Sequence, residues 1–143
     1  MKGKIFILIY FVLLCSSCKS QQEQLSNNKE MYEIIFANGF VNDKVDLSIN
    51  ENEIVKSVFL TSDKSDGVTN FNLKVFVKGS EYVVLNSLTK KQSLIKSIRG
   101  EIKIKIFYKN VWYVFSPSEE KGKYIIIDAG LKFTQQMNEP IFD

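Results

Sequence analysis

The 143-residue chain contains no histidine, the side chain most often used to move protons near neutral pH and to bind zinc. That absence excludes the familiar hydrolase constellations. The remaining nucleophilic design is a Ser and Lys dyad, and serines and lysines are too abundant here for any pair to stand out. Paired carboxylates for glycoside hydrolysis need two acids facing one cleft, which spacing along the chain does not reveal. The sequence therefore points away from an enzyme, and it calls for no cofactor. Long apolar runs are also missing: Ile5 to Leu14 (IFILIYFVLL) is ten residues, against the roughly 20 that a membrane-spanning helix needs. Nor is there a dominant sign of charge. Nineteen Lys and Arg stand against sixteen Asp and Glu, and setting aside Lys2 and Lys4 leaves seventeen against sixteen. So even a balance supplies no field for steering nucleic acid, which is not an expected partner.

What the N-terminus does contain is a basic start, Met1-Lys2-Gly3-Lys4, then that apolar run, then Leu14-Cys15-Ser16-Ser17-Cys18. This is the layout of a secretory signal, with small residues before a cut. Its end resembles the lipobox of bacterial lipoproteins, in which small residues precede a cysteine that is acylated and becomes the new N-terminus. The resemblance implies residues 1–17 as signal peptide and Cys18 as the lipidated residue, with Ser16 and Ser17 at the small positions. Cys15 follows the bulky Leu14 and suits the role less well. After cleavage the only cysteine left is the lipidated one, so the mature domain has no disulfide and depends on its core alone, which a chain of this size permits. Lys19 to Lys29 (KSQQEQLSNNK) is polar and reads as tether, so residues 18–30 form a lipid-anchored linker ahead of a domain at 31–143. The signal, the Lys, Asn and Ile richness and the Lys-Ser-Gln-Gln after Cys18 look like lipoproteins of Bacteroidota, which implies the outer membrane.

From Met31 onward the apolar period is two. Val45, Leu47 and Ile49 alternate with Lys44, Asp46 and Ser48; Phe71, Leu73, Val75 and Val77 with Asn72, Lys74 and Lys78; Ile102, Ile104 and Ile106 with Glu101, Lys103 and Lys105. Each run buries one face of a strand and wets the other. Composition agrees, because Ile, Val, Phe and Tyr are plentiful while Ala37 and Ala129 are the only alanines. Strands are expected near Tyr32 to Ala37, Lys44 to Ile49, Ile54 to Leu60, Thr69 to Val77, Glu81 to Asn86, Gly100 to Tyr108, Val111 to Phe115 and Lys123 to Asp128, separated by Gly-, Asn- and Ser-rich turns. Even spacing without helical crossovers predicts an all-β, antiparallel β-sandwich of about eight strands, immunoglobulin-like or transthyretin-like. Ser87 to Ser97 (SLTKKQSLIKS) is the one short helix expected. Leu131 to Asp143 carries Phe133, Met137, Ile141 and Phe142, so it should pack back on the domain or onto a partner.

Three features could carry function. Trp112 sits in Val111 to Phe115, with Tyr108 and Tyr124 on neighbouring strands; an exposed indole would suit a sugar ring or a protein partner, although core packing is the commoner fate. Between Ser87 and Lys109 seven basic side chains are opposed only by Glu101. Lys103 and Lys105 share one strand face there, fit either for acidic partners or for protecting a sheet edge. Asp63-Lys64-Ser65-Asp66-Gly67 places a lysine where an EF-hand needs an oxygen ligand, which excludes that site and leaves either a looser calcium loop or a solvated turn; no metal ligand set is assigned. The expected protein is thus a membrane-anchored envelope lipoprotein whose sandwich is a protein-binding or assembly module. The alternatives are a carbohydrate-binding surface lipoprotein, or an immunity or inhibitor lipoprotein against a secreted toxin.

Overall fold

The computed structural model describes residues 28–96 and 101–142. The signal, Cys18 and most of the tether lie outside the described residues. Ten strands form: β1 (Lys29–Phe36), β2 (Asp43–Ile49), β3 (Asn52–Leu60), β4 (Asn72–Lys78), β5 (Glu81–Asn86), β6 (Gln92–Lys96), β7 (Ile104–Tyr108), β8 (Val111–Phe115), β9 (Tyr124–Asp128) and β10 (Lys132–Gln136). The sole helical turn among the described residues is a 3-10 turn at Glu119–Lys121. The strands make a six-stranded sheet in the order β10-β9-β1-β4-β5-β6 and a four-stranded sheet in the order β3-β2-β7-β8. The chain is an all-β sandwich.

The period-two residues meet between the sheets. Ile34, Phe36, Leu73, Val75, Val84, Ile95, Ile125 and Ile127 from the larger sheet pack against Val45, Leu47, Ile49, Ile104 and Ile106 from the smaller. Each apolar side chain buried this way contributes about 1.5 to 3 kcal/mol relative to exposure, which is why register is held so firmly. Phe36 touches Phe40 and Phe71 with ring centroids 5.9 and 5.5 Å apart, and Phe40 meets Tyr108 edge-on at 5.9 Å. These rings close one end of the sandwich.

Two expectations need correction and a third is met in part. Ser87 to Lys96 is not helical: a turn leads into β6, which pairs with β5 through Tyr82↔Ile95 and Val84↔Ser93. The cause is local, since the Asn86 side chain accepts the N–H groups of Leu88 and Thr89 and Lys90 sits at φ 57. An Asn side chain that caps two following amides favours a turn over a helix interior. Second, the sheets are not wholly antiparallel. β1 pairs with β9 in parallel, from Glu33↔Tyr124 to Phe36↔Ile127. A parallel neighbour needs a long crossover, and here strands β2 to β8 supply it in place of a helix. Third, the tail divides. Lys132 to Gln136 becomes β10 on the edge beside β9, with Phe133 stacked on Phe115 at 4.9 Å and 8°, whereas Met137 and Ile141 stay exposed.

Candidate binding face on the four-stranded sheet

The site begins with a two-residue turn. Lys109 and Asn110 both take positive φ, 47 and 65°, as the turns that match the twist of a two-residue hairpin require. This turn sets the β7–β8 register at Tyr108↔Val111, Phe107↔Trp112 and Ile106↔Tyr113. Ile106 and Tyr108 are buried, so Tyr113 and Phe115 turn inward with them and pack against the core. Phe107 and Trp112 therefore turn outward. Their ring centroids are 5.1 Å apart with planes inclined by 45°.

Trp112 is 57% exposed, so the commoner core fate expected for it does not hold. Two physical reasons combine. The hairpin register gives Trp112 the parity of the wet face, and β8 is an edge strand with a neighbour on one side only. Nothing among the described residues lies over it as a third layer. The aromatic neighbours also differ from those expected. Tyr108 is buried on the inner side, and Tyr124 belongs to the other sheet. Phe107 takes their place.

Other side chains complete the face. Lys105 lies opposite Val114, which is 57% exposed, and Asp46 lies opposite Phe107. Lys44 pairs with Phe59, itself 59% exposed. The register steps past Asp46, so that Lys56 and Ser57 of β3 together oppose it. Ser57 has φ 55, and its N–H donates to the Asp46 carboxylate. This is a bulge whose freed donor has been given an acceptor, and it turns the outer part of β3 so that Phe59 faces out. A shallow depression between Asp43, Lys44, Asp46, Phe107, Lys109 and Asn110 adjoins the rings.

The basic run does not form one surface. Lys90, Lys91 and Lys96 lie around β6, on the six-stranded sheet, while Lys105 lies on β7 of the other and Lys103 just before it. Lys105 is paired with Glu51 at 2.6 Å and Lys109 with Asp43 at 3.7 Å. Lys103 is exposed, and its backbone N–H donates to the buried Asn50 side chain at 2.8 Å. Asn50 in turn donates to the Glu101 carbonyl at 3.1 Å. That contact ties the β2–β3 turn to the approach of β7, so the backbone of Lys103 is structural and only its ammonium is free for a ligand.

The acidic loop is a turn closed on itself. Asp63 accepts the backbone N–H and the hydroxyl of Ser65, at 2.7 and 2.6 Å, and Asp66 accepts the N–H of Val68 at 3.0 Å. The Ser65 donors hold the Asp63 carboxyl below its ordinary range. Among the described residues no group of three His, Cys, Asp or Glu side chains gathers at a metal-binding distance.

Sequence reading named Trp112, Lys103 and Lys105 but missed Phe107 and Phe59. Phe107 had a signal, because it continues the parity of Lys103 and Lys105 and so belongs to their wet face. Phe59 had none, since the bulge at Ser57 breaks its alternation. Comparison with known protein families, with curated proteins and with solved structures gives no match.

Proposed function

We propose that the protein is an envelope lipoprotein, anchored through lipid on Cys18, whose sandwich binds another envelope protein through the outer face of the four-stranded sheet. The observation that carries the binding reading is the exposed Trp112, backed by the half-buried Phe107, on a strand face flanked by the exposed Val114. An exposed aromatic beside apolar neighbours and a rim of charged groups has the composition of a protein-interface anchor. Trp112 is the ring expected to insert into a partner, with Phe107 as its support. Asp46, Lys44 and Lys103 form the rim that sets register and on-rate.

Carbohydrate binding is the second reading, and it rests on the same exposed indole. A sugar platform needs a flat ring face ringed by free hydrogen-bonding groups. The 45° inclination between Trp112 and Phe107 and the engagement of Asp46 by the Ser57 N–H favour a protein partner over that arrangement.

The anchor is tested by Cys18→Ser with labelled palmitate. Label and membrane retention should both disappear; label that persists, or that vanishes only with Cys15→Ser, rejects the assignment. The module is tested by affinity purification of the full chain from detergent-solubilised envelopes. Trp112→Ala should lose the co-purifying protein while glycan arrays stay blank for parent and variant alike. A parent that binds glycans and loses them with Trp112→Ala establishes the second reading instead.

A further inference from the structure

The two sheets end in four edges, β10 and β6 on the larger and β3 and β8 on the smaller. An edge strand is a template for pairing, and proteins blunt it with charge, bulges or proline. β10 carries Lys132, β6 carries Lys96, and β3 carries Glu53 and Lys56 together with the Ser57 bulge. β8, Val-Trp-Tyr-Val-Phe, carries no charge, no proline and no bulge across its five residues. Three of its side chains, Val111, Trp112 and Val114, are exposed.

Hairpin geometry says which backbone groups that edge offers. In a two-residue hairpin the residues closing the turn form a hydrogen-bonded pair, and bonded and non-bonded pairs alternate from there. Tyr108↔Val111 closes this turn, so Val111, Tyr113 and Phe115 direct their N–H and C=O toward β7. Trp112 and Val114 direct theirs away from the sheet.

We propose that β8 pairs antiparallel with β8 of a second copy about a two-fold axis at Tyr113, joining the two four-stranded sheets into one. The strand is its own complement. In that register each Trp112 lies opposite Val114 of the second copy and exchanges both backbone bonds with it, using the groups that hairpin geometry leaves free. A symmetric interface sets each residue against its own kind or its mirror position, so a strand with a lysine at its centre would repel itself. β8 has none. The flanks carry opposite charge, because Lys109 lies beyond one end and Glu120 beyond the other, and an antiparallel copy brings these ends toward each other. Pro117 has no N–H, so pairing stops where the strand does. A two-fold axis perpendicular to the sheet keeps both outer faces on one side, which places two Trp112 and Phe107 pairs on one continuous surface. The dimer does not depend on the anchor or on the partner proposed above.

Tyr113→Cys in the full chain tests this. Facing residues of a non-hydrogen-bonded antiparallel pair have Cα atoms about 4.5 Å apart, within disulfide range. On mild oxidation of cells making the variant, a disulfide-linked dimer should appear that the parent, with its own Cys15 and Cys18, does not form. Lys132→Cys on β10 should not form it either. Adding Val114→Pro, which removes a free edge donor and leaves the β7 ladder intact, should abolish the dimer. If Tyr113→Cys accumulates poorly, Trp112→Cys combined with Val114→Cys reports the same register from exposed positions. A folded variant that stays monomeric overturns the proposal, as does a dimer indifferent to Val114→Pro. Crosslinking to a different protein overturns it in favour of a heterologous strand on the same edge.

Discussion

On the outer face of the six-stranded sheet, Lys74 lies between Glu30 and Glu33 at 3.3 Å from each, and Lys123 meets Glu30 at 2.8 Å. Asn72 donates to Glu33 at 2.8 Å. Ile35, Phe76 and Val83 share that face and are nonetheless buried. On the outer face of the four-stranded sheet Phe107, Trp112, Val114 and Phe59 occupy equivalent positions, and the last three are exposed. Both faces arise from the same alternation of side chains. The difference is lateral: Phe76 stands on β4 with β1 and β5 on either side, whereas Trp112 stands on an edge with one neighbouring strand. A large side chain on a sheet surface loses its water mainly to cross-strand neighbours, so sheet width and position decide whether an outward ring becomes a buried contact or a free surface. The ion-paired face is a closed surface, and the aromatic face is left open to solvent.

The steepest contrast lies across the β7 backbone itself. Ile106 is fully buried and Phe107, the next residue, faces out. Ile106→Ala should cost about 2 to 5 kcal/mol in chemical denaturation, and Phe107→Ala only about 1 kcal/mol. Equal costs would show that the outer face is packed as a second core, and would dissolve the distinction between the sheets.

Next in size is the ion-paired network. Burial pushes the Glu30 carboxyl up, but the Lys123 ammonium bonded to it and the charge of Lys74 outweigh this and hold it below its ordinary value of 4.5. A carboxyl with a lower pKa in the folded chain binds its proton more tightly when unfolded, so its contribution is complete above that ordinary value and is lost as pH falls through the depressed one. Lys74→Met should therefore cost about 1 to 2 kcal/mol at neutral pH, discounted for partial exposure of the groups. The gap between variant and parent should narrow as pH falls below the ordinary Glu30 value, where Glu30 loses its charge. A gap independent of pH would mean that Lys74 acts by packing its stem and not by its charge.

Trp112→Ala should lower stability by less than about 1 kcal/mol, the scale of its one ring contact with Phe107, while removing partner binding. Thermal melts and co-purification on the same variant separate the two effects. Smallest of all is Lys105→Ala, which breaks a pair with a largely exposed Glu51 and should move stability by no more than about 0.5 kcal/mol. A larger loss would identify Lys105 and Glu51 as a strut between β7 and the β2–β3 turn.

Much of the architecture is legible in the residues because strand periodicity is a local property. Val45, Leu47 and Ile49, or Ile104 and Ile106, can bury a common face only as strands, and no helix turns those positions to one side. The segment at Ser87 to Lys96 misled because Leu88, Leu94 and Ile95 suit a helical face as well as a strand. Asn86 capping the turn, and the vacant edge of β5, settled the matter in favour of β6. Lys132 to Gln136 lacks a strong alternation of its own and becomes β10 because β9 offers it an edge and Phe115 offers Phe133 a ring.

What the sequence determined by itself was thus the fold class, the inward residues of the strong strands, and the basic, apolar and small-residue order of its first eighteen positions. These depend on neighbours in the chain, through backbone geometry and hydrophobic alternation. Tertiary structure alone decided that β1 and β9 run parallel, that the lysines between Ser87 and Lys109 part to different sheets, and that Trp112 faces water beside Phe107. Each of those depends on which strands become neighbours and which are left at an edge, and that choice is made by burial summed over the whole sandwich.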